Sequence, residues 1–181
     1  MKAMKTIILA ALVILSSALT ARAGDDWKKF VSKEYGFSIE TPGEMTLEPA
    51  EPGAENEAES VNFSASPVSE SDSSIAYKAI FVKVAISEED IKSESYVNEF
   101  LNEMRNSYLE SSATMVVKEE RIKVDGFPAL DIVTKNADGL YLFTRFTLTP
   151  KGVATALLVT YASDPANPFT SRFIKSLRIL K

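Results

Sequence analysis

The second half of the chain contains three successive runs in which apolar and polar residues alternate, at 130–135, 140–149 and 153–162. Alternation with a period of two turns one face of a strand toward a core and the other toward solvent. The runs are separated only by 136–139 and 150–152, and both connections contain glycine and other turn-forming residues. Because consecutive strands joined by tight turns pair with each other, the pattern predicts an antiparallel meander.

The segment 95–111, which precedes the meander, is predicted to be the main helix. Its apolar residues recur at helical spacing and form one stripe, which consists of Val97, Phe100, Leu101, Met104 and Tyr108. Two interpretations of this stripe are open: it packs against the sheet as core, or it lines a site for an apolar ligand. Core packing is the much commoner use of such a stripe and is favoured here.

Alternating residues also predict strands at 37–41, 61–64 and 75–86, and the Asn-Pro pair at 167–168 is typical of the start of a last helix. Helices at two places around an antiparallel sheet define the α+β class. We therefore expect a single α+β domain over 24–181, with a central antiparallel sheet flanked by helices.

The segment 44–59 carries six glutamates, two prolines and a glycine, and it has almost no large apolar residue. Such a composition cannot bury itself, so the segment is predicted to be a solvated acidic loop. Carboxylates are also calcium ligands, but the spacing lacks the alternating aspartates of a loop that converges on one ion. The solvated loop is the favoured interpretation.

Residues 1–23 have the features of a signal peptide. Two lysines precede an apolar run at 7–19, and 21–23 read Ala-Arg-Ala, the small-x-small pattern of a cleavage site. The apolar run is short for the roughly 30 Å hydrocarbon core of a bilayer, which favours cleavage over anchoring. We expect a mature chain that begins at Gly24, is soluble, has no membrane span, and is periplasmic or secreted.

The chain contains neither cysteine nor histidine. The first absence excludes disulfides, thiolate metal sites and cysteine nucleophiles, and the second excludes Ser-His-Asp triads and histidine-ligated metals. We expect no cofactor and no metal. The net charge is −5 and falls to −8 when the three basic residues of the leader are removed, so nucleic acid is a poor candidate partner. The sequence shows no Lys/Arg cluster that would reverse this expectation.

No nucleophile elbow, phosphate-binding loop or dinucleotide-binding pattern is present in the sequence. Paired carboxylates can perform acid/base chemistry, and Asp131 is the acid that we single out, although a solvent-facing strand position explains it best. Arg145 is expected to form a structural ion pair across the meander with Asp131 or Asp138. We therefore expect a protein that is not an enzyme.

Three short motifs resemble those of one family. The segments Tyr-Gly-Phe-Ser-Ile-Glu-Thr-Pro at 35–42, Gly-Phe-Pro-Ala at 126–129 and Phe-Ile-Lys-Ser-Leu at 173–177 resemble the opening strand, the mid-chain glycine motif and the closing helix of the PsbP-like superfamily. The similarity spans 27–180. It implies a central antiparallel sheet sandwiched between helices, an α/β/α sandwich.

That superfamily contains the photosystem II extrinsic subunit, a yeast Ran-binding import factor and bacterial envelope proteins. The resemblance implies protein binding rather than catalysis. Glu44 and Met45 stand where members often carry an aromatic residue after the proline of the first strand. No metal site or Ran-contacting surface of the family maps onto these residues, and fold alone does not transfer function.

Two hypotheses from different classes follow. The first is an exported, non-catalytic binding module that presents a sheet face or its loops to another envelope protein. The alternative is a carrier that holds an apolar small molecule between the main helix and the sheet. The candidate ligand or partner residues are Phe100, Met104, Tyr108, Asp131 and Arg145.

Overall fold

The computed structural model describes residues 27–48, 60–65, 75–160 and 168–180, with Pro168 and Phe169 described by their backbone alone. The predicted signal peptide and most of the predicted acidic loop lie outside the described residues. The strands are β1 (Trp27–Ser32), β2 (Phe37–Pro42), β3 (Met45–Leu47), β4 (Ser60–Ala65), β5 (Ala76–Val82), β6 (Met115–Val124), β7 (Phe127–Lys135), β8 (Tyr141–Thr149), β9 (Gly152–Thr160) and β10 (Arg178–Ile179). The helices are α1 (Glu88–Lys92), α2 (Glu94–Ser112) and α3 (Pro168–Ser176).

Seven of the described strands form one antiparallel sheet in the order β3-β4-β5-β9-β8-β7-β6. The predicted meander is confirmed as β7, β8 and β9, each antiparallel to the next. β6 joins it through a two-residue turn at Asp125 and Gly126, whose φ angles are 51° and 93°. Asp-Gly adopts two positive φ angles readily, and such a turn matches the twist of the strands that it joins.

The helices α1 and α2 cover one face of this sheet. α1 begins after Ser87, whose hydroxyl accepts a hydrogen bond from the Asp90 backbone N–H at 3.0 Å. α2 extends one residue beyond the predicted helix at each end, and its apolar stripe packs with Leu130, Ile132 and Leu148 of the sheet. The stripe therefore supplies the core on this face.

A second sheet of described strands, in the order β1-β2-β10, covers the opposite face together with α3. Phe37 and Ile39 of β2 and Phe173 of α3 are fully buried in this layer. The antiparallel sheet and the α+β class are confirmed. The expected α/β/α sandwich is only partly correct, because β2 pairs with β1 and β10 and so fills much of the layer that the resemblance assigned to helix.

The prediction of a solvated loop over 44–59 is wrong at its beginning, because β3 pairs with β4 at the edge of the large sheet. Met45 packs against the core. Glu48 is tied to the sheet as well, since its backbone N–H donates to the Asn62 carbonyl at 2.8 Å and its carboxylate lies 3.1 Å from Lys78 Nζ. The acidic composition of 44–59, taken as a whole, predicted a loop and gave no indication of this short strand.

Candidate functional site

The apolar stripe of α2 was the first candidate for a ligand site. Phe100, Met104 and Tyr108 are 8%, 7% and 3% exposed, and they lie in one cluster with Leu142 and Phe146 of the sheet. These side chains are core, so they form no part of an exposed partner surface. A ligand between α2 and the sheet would have to displace this packing.

The Tyr108 hydroxyl is the polar group within that core. It lies 2.9 Å from Thr144 Oγ1 and 3.4 Å from Thr134 Oγ1, and the ring meets Phe146 edge to face at 5.4 Å. Burial raises the pKa of Tyr108, although its hydrogen bonds to the two threonines act in the opposite direction. The phenol is therefore neutral and structural, since a buried hydroxyl needs partners of this kind.

Asp131 and Arg145 form the predicted ion pair. They face each other in the register of β7 and β8, and Arg145 Nε and Nη2 donate to the two Asp131 carboxylate oxygens at 2.6 and 2.7 Å. Asp138, the other partner considered for Arg145, is exposed in the turn before β8. The Asp131 carboxylate is thus engaged by the guanidinium, and it lies on the sheet face that carries α3.

A cleft of about 120 Å³ opens beside Asp131, between α3 and the strands β6, β7 and β8. Val133, Phe143 and Ile174 give it apolar walls. Its charged and polar lining includes Lys118, Glu120, Asp131, Thr170 and Lys175. Pockets that enclose a whole small-molecule ligand measure about 300–1,000 Å³. This cleft therefore suits a single inserted side chain.

Thr170 lies beside the cleft, but its hydroxyl oxygen is enclosed by protein and does not face the open space. The residue is 2% exposed, and its hydroxyl has no hydrogen-bond partner within the described part of the chain. A buried polar atom left unpaired costs about 1–3 kcal/mol.

β6 is the last strand of the seven-stranded sheet, and one of its edges has no strand partner among the described residues. Most of its side chains are exposed, and Met115 and Val117 are 72% and 57% exposed. The register with β7 shifts between Val116 and Lys118, so Val117 is the extra residue of a β-bulge. A free edge beside exposed apolar side chains is the kind of surface to which proteins bind by adding a strand.

Basic side chains border β6, although the chain as a whole is acidic. Arg105 of α2 lies 2.6 Å from Glu119, and Arg121 donates to the Asn102 side chain. Burial and, more weakly, the charge of Arg105 lower the pKa of Arg121, against the opposing effect of Glu119. Apart from the Asp131–Arg145 pair, the charged side chains on β6 or beside it include Arg105, Lys118, Arg121, Lys123 and Lys175 against Glu119, Glu120 and Asp125.

Sequence reasoning missed Lys118, Thr170 and Lys175, which share the cleft with Asp131 although they are distant in the chain. It also found no basic cluster, because Arg105 and Lys175 come from different helices. One signal was available: five of the six residues at 118–123, which lie in β6, are charged. Charges of this density are typical of an edge strand that is kept from pairing freely.

Within the described ranges, no helix is long and apolar enough to cross a membrane. Over the same ranges, no group of three or more Asp, Glu, His or Cys side chains is placed to hold a metal ion.

No family model matches the chain, and no curated protein matches it in sequence. Among solved structures, the chain is similar to cyanobacterial PsbP from Synechocystis sp., with 12% sequence identity and a TM-score of 0.57. The alignment covers 93% of this chain and 98% of that one. The fold is therefore PsbP-like, which confirms the resemblance seen in the three sequence motifs. At this identity the likeness concerns the fold alone.

Two proteins from Pseudomonas aeruginosa are similar over a smaller part. One, of unknown function, has 15% identity and a TM-score of 0.40 over 68% of this chain and 87% of its own. The other, an immunity protein of a type VI secretion system, has 14% identity and a TM-score of 0.39 over 67% of this chain and 44% of its own. Neither carries a functional argument at these scores.

Proposed function

We propose that this chain of PsbP-like fold is an exported, non-catalytic binding module that contacts another envelope protein through β6 and the adjoining cleft. One observation carries the proposal: a ten-residue strand lies at the edge of the sheet, with two exposed apolar side chains and an open cleft beside it. Large apolar side chains exposed together on a surface commonly mark an interaction site.

The size and lining of the cleft favour a protein partner over a small molecule. The space fits one side chain, and Lys175 supplies a charged hydrogen-bonding group at its wall. Interfaces of this kind place an anchoring side chain in a pocket and surround it with polar contacts. Export is supported by the signal-peptide pattern at 1–23.

The engagement of Asp131 by Arg145 supports a binding role rather than catalysis. Asp131 is the acid that the sequence singled out for acid/base chemistry, and both of its oxygens accept hydrogen bonds from one guanidinium. A carboxylate held in this way serves the packing of the sheet face and is not positioned as a free proton acceptor.

The test is site-specific photo-crosslinking in living cells. A photoreactive amino acid replaces Val117 on β6, and a matched control replaces Val31, an exposed valine on β1 of the small sheet. We expect one envelope protein, identified by mass spectrometry, to be captured from position 117 and not from position 31. Capture from position 31 alone, or from neither position, would refute the assignment of the partner surface to β6.

A further inference from the structure

The turn at the end of β6 determines which of its backbone N–H and C=O groups point away from β7. Residues that flank a two-residue turn exchange both backbone hydrogen bonds, and bonded and non-bonded pairs then alternate along the two strands. Val124 and Phe127 flank the turn and are register partners. The alternate residues Glu119, Arg121 and Lys123 therefore point their backbone N–H and C=O groups away from β7. These groups face the edge that has no strand partner among the described residues.

We propose that an extended, acidic segment of the partner protein pairs with these groups and adds a strand to the sheet at β6. This inference rests on the proposed function and names the chemistry of the partner. A strand added at a sheet edge gains affinity from main-chain hydrogen bonds and specificity from its alternate side chains. Each outward residue of β6 offers one donor and one acceptor for such bonds.

The charge on the α2 face of β6 selects an acidic strand. Arg105 and Glu119 neutralise each other at 2.6 Å, which leaves Arg121 and Lys123 without a carboxylate partner among the described ion pairs. An added strand places every second side chain on this face, opposite these two cations. Opposite charges across a strand pair are favourable and like charges are unfavourable. Acidic side chains therefore fit here, and basic ones do not.

The cleft on the opposite face has the same preference. Lys118 and Glu120 lie 3.7 Å apart and offset each other, and the Asp131 carboxylate is bound by Arg145, which leaves the charge of Lys175 at the wall of the cleft. A carboxylate on the added strand would pair with this lysine.

The bulge and the charges also explain why β6 does not pair with every strand that it meets. Edge strands are commonly protected by charged residues and by bulges that interrupt the ladder. On β6 the bulge at Val117 limits pairing to the residues that follow it, and five of the six residues at 118–123 are charged. An uncharged strand leaves these charges without partners, and a basic one is repelled. The charged residues and the bulge that protect the edge of β6 therefore also make it specific for an acidic strand.

The first test measures peptide binding to the purified mature protein by fluorescence anisotropy at low salt. The probe is a labelled peptide of about eight residues that alternates glutamate and threonine, since strands commonly have about this length. One comparison peptide replaces glutamate by lysine, and another carries N-methyl groups on alternate backbone amides. We expect each change to weaken binding by about tenfold or more, because each removes the paired charges or several main-chain donors.

The second test changes β6 itself. Arg121→Pro removes one outward N–H and leaves the hydrogen bonds to β7 intact, and Arg121→Glu reverses one charge at the edge. We expect each to weaken binding of the acidic peptide by about tenfold. Lys92→Glu makes the same charge change on exposed α1 and should leave binding unchanged. Circular dichroism and the thermal midpoint check that each variant is folded. If Arg121→Pro is unfolded, binding of the acidic peptide to Arg121→Glu still tests the proposal.

Several results would overturn strand addition. Equal binding of the N-methylated and parent peptides would show that charge alone acts. Vesicles of phosphatidylglycerol that bind as tightly as the peptide would identify an anionic surface as the ligand. A dimer that Arg121→Pro dissociates would show that a second copy occupies the edge. If Val117 captures a partner while the acidic peptide does not bind, strand addition fails and the proposed function stands; if neither occurs, both fail.

Discussion

Arg145 shows how this fold keeps a charged side chain inside it. Only 8% of the side chain is exposed, and the planar guanidinium binds both carboxylate oxygens of Asp131. Two parallel bonds of this geometry offset much of the desolvation of the pair. The alignment follows from the strand register, which places Asp131 directly opposite Arg145. A residue-scale interaction thus depends on the pairing of two strands.

Asp131→Asn should therefore destabilise the protein. The substitution removes the negative charge opposite a buried guanidinium, and we expect the free energy of unfolding to fall by about 2 kcal/mol. Urea denaturation monitored by circular dichroism measures the change. Asp138→Asn is the matched control, because Asp138 is exposed in a turn, and it should change stability by less than about 0.5 kcal/mol. Equal effects of the two variants would contradict the structural role of the pair.

Tyr108→Phe should lower the stability of the protein at neutral pH. It should also make that stability less sensitive to pH in the alkaline range. Burial raises the pKa of Tyr108 above its ordinary value of 10.0 in the folded protein. The stabilisation that comes from the neutral phenol is therefore complete below pH 10.0 and is lost as the pH rises through the folded pKa. Loss of the hydroxyl, which lies 2.9 Å from Thr144 Oγ1, should cost about 1 kcal/mol at neutral pH.

Urea denaturation of both proteins at pH values from about 8 to about 11 measures this effect. The unchanged protein should lose more stability over this range than Tyr108→Phe, because only it contains the titrating phenol. Parallel pH curves would show that Tyr108 does not titrate differently in the folded and unfolded states.

At the scale of elements, the end of the β8–β9 turn is also the point where the meander meets β5. Gly152 has a φ of 143°, and a Cβ atom there would overlap the carbonyl oxygen of Val82 and come within 3.0 Å of the Phe81 ring. Both residues belong to β5, which pairs with β9. A glycine is therefore required where β5 and β9 approach each other, and the turn and the strand pairing depend on one position.

Gly152→Ala should destabilise the protein by about 3 kcal/mol, because the methyl group adds a clash with β5 to an unfavourable φ. Gly139→Ala is the control: Gly139 also has a positive φ, 86°, but no described atom lies within 4 Å of its added Cβ. Its cost should be about 1 kcal/mol. Thermal unfolding of both variants tests the difference. Equal losses of stability would show that the close approach of β5 adds nothing to the cost of the positive φ.

At the scale of the whole molecule, charge is distributed unevenly. The chain has 25 acidic and 20 basic residues, yet five basic side chains border β6 against three acidic ones. Net acidity disfavours non-specific binding to polyanions, while a local surplus of cations can still steer one acidic partner to its site. The position of β6 at the end of the sheet makes that surplus accessible.

The intact protein recovered from the cell envelope should begin at Gly24. The pattern of the leader predicts that 1–23 are removed during export. Mass spectrometry of the intact chain checks this, and the mass should be lower than the 19.9 kDa of the full sequence by that of 23 residues. A chain that still begins at Met1 would contradict export by cleavage.

The sequence by itself determined the elements whose signals are local. The meander followed from alternation and tight turns and α2 from its apolar stripe, because each pattern involves residues close in the chain. The Asp131–Arg145 pair was also foreseeable, since a meander places neighbouring strands side by side. The short strand β3 was not, because its backbone partner β4 lies beyond the acidic segment.

Only the tertiary structure decided what lies next to what across the chain. It placed β6 at an edge, covered the second face largely with β1, β2 and β10, and brought Lys118, Thr170 and Lys175 around one cleft. Strand order and layer packing depend on which distant surfaces bury the most apolar area, and no local pattern encodes that choice. The candidate site belongs to this second group, because every part of it is an edge or a gap between elements.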